Sequence, residues 1–187
     1  VSGALKYPGV HSAYAAEELG ALNGSIPCVW AVTPDMVAPD FPALAKGKVR
    51  HVGDCVAVVL AETPYQAADA LEGIKVEYDT LPAVIDMEAA LEGKTLLHED
   101  KNTNKCYTYK LQPSGEGSYE AAAAKADVVV RRRFINQRLI PAFMEPRAVL
   151  AAPMGVSGEL TVWSATQIPH VLRVLLALVT GIAENKL

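Results

Sequence analysis

The sequence predicts an α+β chain built in two parts. Residues 48–84 read as strand, turn, strand, helix, strand. Residues 94–117 break into a polar, irregular run, and a second group of strand and helix patterns occupies 118–181. The 187 residues are enough for one large domain or two small ones, at about 100–200 residues per domain. With 51% hydrophobic and 20% charged residues the composition is that of a globular chain. Such a length is expected to bury roughly 70% of the surface its unfolded form exposes.

The first module is expected to open with a strand through Val49 and Val52, turn at Gly53 and Asp54, and continue as a buried strand over 56–60. Thr63 then serves as an N-cap, Pro64 fits the first helical position, and Gly73 stands where a C′ glycine closes the helix. Over 74–78, Ile74, Val76 and Tyr78 alternate with Lys75 and Glu77, the period-2 pattern of a half-buried strand, before Leu81 and Pro82 end the unit. A short helix over 86–91 stops at Gly93.

The runs HEDKNTNK and QPSGEG then make a connection too long for an internal loop, which places a domain boundary near residue 93. Beyond it, Ser118 caps a helix containing AAAAKA. A strand is expected through Val128, Val129 and Val130 and on through Phe134 and Ile135. Another over 148–152 is joined by Gly155-Val156-Ser157-Gly158 to a strand over 159–164. Thr166-Gln167-Ile168-Pro169 opens a last helix that runs to Thr180 and ends at Gly181. Only His170, Arg173 and Thr180 are polar in it, and a helix apolar nearly all round requires cover on every side. That cover is expected from missing chain or from a partner.

The balance of 17 Lys+Arg against 21 Asp+Glu gives a net charge of −4, which excludes a bulk electrostatic case for nucleic acid or an anionic membrane. Mean hydropathy is +0.17. Even so, apolar stretches such as 174–179 fall far short of the ~20 residues of a membrane span. The opening VSGALKYP lacks the regions of a secretory signal and is expected to be a processed or cut end. Cys28, Cys55 and Cys106 are odd in number and lack C-x-x-C spacing, so no disulfide framework, zinc site or iron–sulfur site is spelled out, and a reducing, cytoplasmic location is expected. Cys55 reads as a small buried hydrophobe.

Gly115 and Gly117 supply two glycines of a dinucleotide fingerprint but follow a polar loop and lack the third, so no phosphate cradle is assigned. Val156-Ser157-Gly158 lies between two strands and is a hairpin turn, not a nucleophile elbow. His11, His51, His98 and His170 have no ligand spacing, and no metal ligand is assigned. Arg131, Arg132 and Arg133, with Arg138 and Arg147 nearby, cannot all face one phosphate backbone from a strand, so ion pairing or an interdomain contact is expected of them. Gln167 sits at a strand-to-helix turn, where a carboxamide donates and accepts hydrogen bonds without a titratable charge. The residues alone favour a capping or turn role for it over ligand binding. No catalytic residue is assigned.

Four segments in order, VRHVGDCVAVVLAET (49–63), QAADALEGIKVEYDTLPAV (66–84), ADVVVRRRFINQRLIPAFMEPRAVLA (126–151) and VWSATQIPH (162–170), together resemble the large, molybdenum-binding subunit of the xanthine oxidase / aldehyde oxidase / aerobic carbon monoxide dehydrogenase family. The forms NQRLIP, MEPR and TQIPH resemble its carbon monoxide dehydrogenase-like branch. The resemblance implies an α/β hammerhead domain over 1–92, with its first strand missing, and the first part of the molybdopterin-binding domain over 93–187. Gln167 matches the family glutamine that contacts the molybdenum oxo ligand, which reverses the reading in favour of cofactor binding. Glu145 and Arg147 match the MEPR motif and are expected as structural pairs. The complete enzyme is expected to hold a molybdenum–pterin cofactor and to oxidise a small substrate with water-derived oxygen. Its electrons are expected to pass to iron–sulfur clusters and FAD on other domains or subunits. The implied partners are the remainder of the molybdenum subunit, the iron–sulfur and flavin subunits, and a further copy in a homo-oligomer. This chain alone is then an inactive fragment. The alternative is a stand-alone hammerhead-like module that binds a partner subunit through the helix at 168–180 and has no activity.

Overall fold

Strand β1 (Val10–Ala15) pairs antiparallel with β2 (Ala57–Ala61), with Ala13 opposite Val59 and an irregularity between Val10 and Ser12. A short helix, α1 (Ala16–Leu19), continues directly from β1. These assignments come from a computed structural model that describes residues 1–28, 30–111, 118–137 and 139–187. Gly115, Gly117 and Arg138 lie outside the described residues.

Helix α2 (Pro64–Leu71) begins as expected, with Thr63 Oγ1 accepting the Gln66 N–H at 3.3 Å. It rests on the β1–β2 pair through Ala70, which is fully buried with Ala4 and joins Ala13, while Val1, Tyr7, Val10, Val59 and Ile74 pack around them. Small side chains let helix and strand lie close. The same crowding gives Gly73 a different role from the one expected, because it is not in the left-handed region. A Cβ there would lie 2.7 Å from Tyr7 Cε2 and 2.9 Å from the Gly3 carbonyl carbon, so Gly73 is required by close approach to the N-terminal turn.

The strand expected at Val49 and Val52 does not form. The Asp54 carboxylate accepts the Arg50 N–H at 2.6 Å, and this local bond closes a turn in place of a ladder. The segment at 74–78 has the alternation of a strand but no strand beside it, and Tyr78 remains 64% exposed. The same holds for the valine run at 128–130 and for Phe134 and Ile135.

Helix α3 (Met87–Leu91) is capped by Asp86, whose Oδ1 accepts from Glu88 N at 3.0 Å and Ala89 N at 2.8 Å, and Gly93 follows it at φ +69°. The polar run beyond is tied down. Asn104 donates to the Ala90 and Thr95 carbonyls at 3.0 and 2.7 Å and accepts from Leu97 N at 2.9 Å. Arg50 Nε donates to the Leu97 carbonyl at 2.9 Å, and Lys48 pairs with Glu99.

Partial burial holds the His98 imidazole below its ordinary pKa, with the Arg50 charge as a secondary cause. A depressed histidine pKa means the folded chain binds fewer protons than the unfolded one. Its stabilising effect is present above pH ~6.5 and is lost as pH falls below that value. The carboxylates of Glu99 and Asp100 are lowered chiefly by hydrogen bonds from Lys48 and Lys101, so they add a loss in the same direction at more acidic pH. Amide exchange at 95–106 should therefore accelerate on going from pH 7.5 to 5.5, after correction for intrinsic rates, while the amides of β1 and β2 change little.

Helix α4 (Tyr119–Lys125) is capped by Ser118 Oγ, which accepts the Ala121 N–H at 3.2 Å. Strands β3 (Val149–Met154) and β4 (Glu159–Ser164) form an antiparallel hairpin, Val149 opposite Ser164 and Met154 opposite Glu159, with Gly158 at φ +67° in its turn. Ser157 Oγ donates to the Met154 carbonyl at 2.8 Å, a turn role as expected. Helix α5 (Pro169–Thr180) follows and is closed by Gly181 at φ +73°, whose N–H donates to the Ala177 carbonyl at 2.9 Å.

Burial departs from expectation. The buried hydrophobics among the described residues are Ala4, Ala13, Ala16, Leu44 and Ala70, and the accessible surface is 15788 Å². A folded monomer of this mass has about 8,700 Å², so the chain buries roughly 45% of its unfolded surface in place of the expected ~70%. Cys55 is exposed, as are Cys28 and Cys106, which overturns the buried reading of Cys55. Among the described residues no helix is long and apolar enough to cross a membrane.

Candidate functional site

The turn between β4 and α5 carries Gln167. After Ser164 the chain stays with the hairpin, because Ala165 N–H donates to the Ala148 carbonyl at 3.3 Å. Thr166 Oγ1 then accepts the Ile168 N–H at 3.2 Å, and Pro169 begins the helix with its φ already suited to it. The turn-stabilising role considered for Gln167 thus belongs to Thr166. The Gln167 side chain is exposed and makes no hydrogen bond to another described residue, so its amide donors and carbonyl acceptor are all unspent. Thr166 is the residue the sequence reading passed over. Its signal was a hydroxyl three residues ahead of a helix start.

The larger of two cavities is an apolar groove of about 420 Å³ between the hairpin and α5, lined by Leu160, Val162, Trp163, Leu172, Leu176 and Leu187 among others. Gln167 lies outside it. The smaller, about 150 Å³, lies beside His98, Asn104 and Cys106 in the tied-down connector. The histidines are dispersed: His51 Nδ1 lies 3.2 Å from Asp54 Oδ1, and His98 sits in the connector. Among the described residues no three His, Cys, Asp or Glu side chains are grouped as metal ligands.

The arginine run does form an ion pair across the chain, Arg133 Nη2 to Glu88 Oε1 of α3 at 3.0 Å. Arg147 is not paired with Glu145. Its guanidinium lies 5.5 Å from the centre of the Phe143 ring, a cation–π contact in place of the expected pair. As a partner for a metal-bound pterin, the chain offers a free neutral carboxamide at an element end. That fits a single hydrogen bond to a bound oxo group. Gln167 is not in the lining of either cavity, although Thr166 and Pro169 beside it line the larger one.

Two family models match in chain order. Residues 1–82 match the aldehyde oxidase and xanthine dehydrogenase a/b hammerhead domain, and residues 97–187 match the molybdopterin cofactor-binding domain. The chain belongs to the xanthine oxidase / aldehyde oxidase / carbon monoxide dehydrogenase family. It is 33% identical over 195 residues to the carbon monoxide dehydrogenase large chain of Hydrogenophaga pseudoflava, a match covering 98% of this chain and 23% of that one. It is 34% identical over 134 residues to the 6-hydroxypseudooxynicotine dehydrogenase complex subunit gamma of Paenarthrobacter nicotinovorans, covering 72% and 16% of the two chains. The crystal structure of quinoline 2-oxidoreductase from Pseudomonas putida 86 superposes with a TM-score of 0.86 at 32% identity, over 99% of this chain and 23% of that one. The chain therefore spans about a quarter or less of the length of these three relatives. Of the structural elements, β1, β2 and α2 fall in the hammerhead match, and β3, β4, α5 and Gln167 fall in the molybdopterin match.

Proposed function

We propose that the chain supplies the hammerhead domain, residues 1–92, and the opening part of the molybdopterin-binding domain, residues 93–187, of a molybdenum hydroxylase large subunit. Gln167 is its contact to the cofactor. The supporting observation is the unspent carboxamide at a strand-to-helix turn inside the molybdopterin match. When bound, the molybdenum–pterin group supplies the redox chemistry by which a small substrate gains a water-derived oxygen. Gln167 contributes a hydrogen-bond donor that carries no titratable charge, so it persists at any working pH and stabilises negative charge developing on an oxygen beside it. Thr166 and Pro169 hold the turn that presents it. Iron–sulfur clusters and FAD, held on other domains or subunits of a cytoplasmic assembly, would supply the path for the electrons.

Such a chain should carry far less than one molybdenum when purified alone from molybdenum-replete cells, and should turn over no substrate. Co-expressed with a polypeptide holding the remaining three-quarters of a large subunit, it should co-purify in equal amount together with the metal. Stoichiometric molybdenum on the isolated chain, measured by mass spectrometry of the metal, contradicts the proposal. The exposed apolar groove under α5 favours one second reading, a non-enzymatic module that docks a partner subunit there. Equimolar co-purification with a partner, with molybdenum on neither chain, would support that reading.

A further inference from the structure

The dipeptide Asn23-Gly24 has no part in the cofactor contact, and Asn23 is the one asparagine in the sequence that glycine follows. Its carboxamide clamps two distant segments together. Asn23 Oδ1 accepts the Leu44 N–H at 2.7 Å, and Asn23 Nδ2 donates to the Leu44 carbonyl at 2.9 Å. Leu44 is 5% exposed and is one of the few buried side chains among the described residues. The dipeptide also meets α5, because a Cβ on Gly24 would lie 3.6 Å from both Val179 Cγ1 and the Val179 carbonyl oxygen. The clamp therefore sits where the hammerhead match touches the molybdopterin match. Beside the carboxamide stands an unengaged nitrogen, since the Gly24 N–H makes no backbone hydrogen bond to another described residue.

We propose that Asn23 is a site of spontaneous covalent modification, whose rate the Leu44 clamp sets and whose product removes the clamp. The Gly24 nitrogen attacks Asn23 Cγ, the new N–Cγ bond closes a cyclic imide, and the Cγ–Nδ2 bond breaks. Ammonia leaves with the proton that the Gly24 nitrogen gave up. Water then opens the ring at either carbonyl, giving aspartate or isoaspartate with no change of oxidation state. Glycine makes the attack feasible because it places no side chain beside its own nitrogen. In the fold both polar atoms of the carboxamide are held by Leu44, so Cγ meets the Gly24 nitrogen only when the two bonds open. Either product loses the donor. A carboxylate only accepts, which leaves the Leu44 carbonyl without its partner, and isoaspartate also adds a carbon to the main chain. The change loosens the seat of α5 near its C-terminal end, at the opposite end of the helix from Gln167.

Peptide mapping of the whole chain held at mildly alkaline pH measures the conversion, with isoaspartate counted by enzymatic methyl transfer. Asn23 is expected to convert about 10–100-fold more slowly in the folded chain than in urea, the retardation that opening two hydrogen bonds imposes. In the converted chain the Leu44 amide should exchange about tenfold faster, while the amides of β2 keep their rates. Gly24→Ala, whose Cβ fits beside Val179, should convert about tenfold more slowly than the unsubstituted chain and keep slow exchange at Leu44. Equal rates in the folded and unfolded chain overturn the proposal. So does a folded chain without product after about 100 half-times of the unfolded reaction, a conversion that leaves Leu44 exchange unchanged, or a Gly24→Ala chain that converts as fast as the unsubstituted one.

Discussion

Replacing Gln167 by Leu in a complete large subunit carrying this segment is expected to lower kcat/KM by about 10²–10³-fold, the usual cost of losing one donor aimed at developing negative charge. Leu keeps the bulk of the side chain and removes both amide functions. Gln167→Glu should be no better, because an ionised carboxylate only accepts hydrogen bonds and brings charge of the wrong sign. The thermal midpoint of the 187-residue chain should be unchanged by either variant, since the side chain is exposed and bonded to nothing among the described residues. Steady-state kinetics alongside a melt separates the two effects. Near-normal turnover in Gln167→Leu would remove the functional assignment.

The largest expected effect on stability lies at the other end of the chain. Gly73→Ala places a Cβ 2.7 Å from Tyr7 Cε2 and 2.9 Å from Gly3 carbonyl atoms, distances at which the N-terminal turn has to move off α2. Tyr7 flanks the Ala4, Ala13 and Ala70 core, so this displacement reaches the best-packed part of the molecule. Overpacking of this kind costs about 1–3 kcal/mol, which lowers the thermal midpoint by roughly 2–12 °C in a chain of this size. Gly24→Ala is the control. Its Cβ would meet nothing closer than 3.6 Å, and its midpoint should stay with that of the unsubstituted chain. Equal midpoints for the two variants would show that the close approach of Gly3 and Gly73 does not constrain the fold.

Features decided by a few adjacent residues were legible in the sequence. Thr63 and Ser118 were readable as N-caps, Gly93 and Gly181 as helix ends, and 155–158 as a hairpin turn, because cap and turn chemistry needs no distant partner. The alternation at 74–78 and the valine run at 128–130 were equally visible, yet neither became a strand, because a ladder requires a second backbone alongside. Asp54 overrode the pattern around Val49 and Val52 by taking the Arg50 N–H into a local turn. Strand β1 escaped notice because Val10-His11-Ser12-Ala13-Tyr14-Ala15 has little apolar alternation, and its pairing with β2 shows only in three dimensions. At the candidate site, Gln167 was located by its position ahead of a helix and given a role by resemblance. That Thr166 relieves it of turn duty could be learned only from the hydrogen bond to Ile168.

The pairing of β1 with β2 also bears on how the chain is made. About 40 residues of connection separate the two strands, and at ~5–20 residues per second the ribosome takes roughly 2–8 s to deliver Ala57–Ala61 after Val10–Ala15 has emerged. The β3–β4 hairpin joins neighbours through one tight turn and closes in microseconds once both strands are out. Nascent β1 therefore waits with an unpaired edge for longer than any other strand here, which makes it the segment a holding chaperone would meet first.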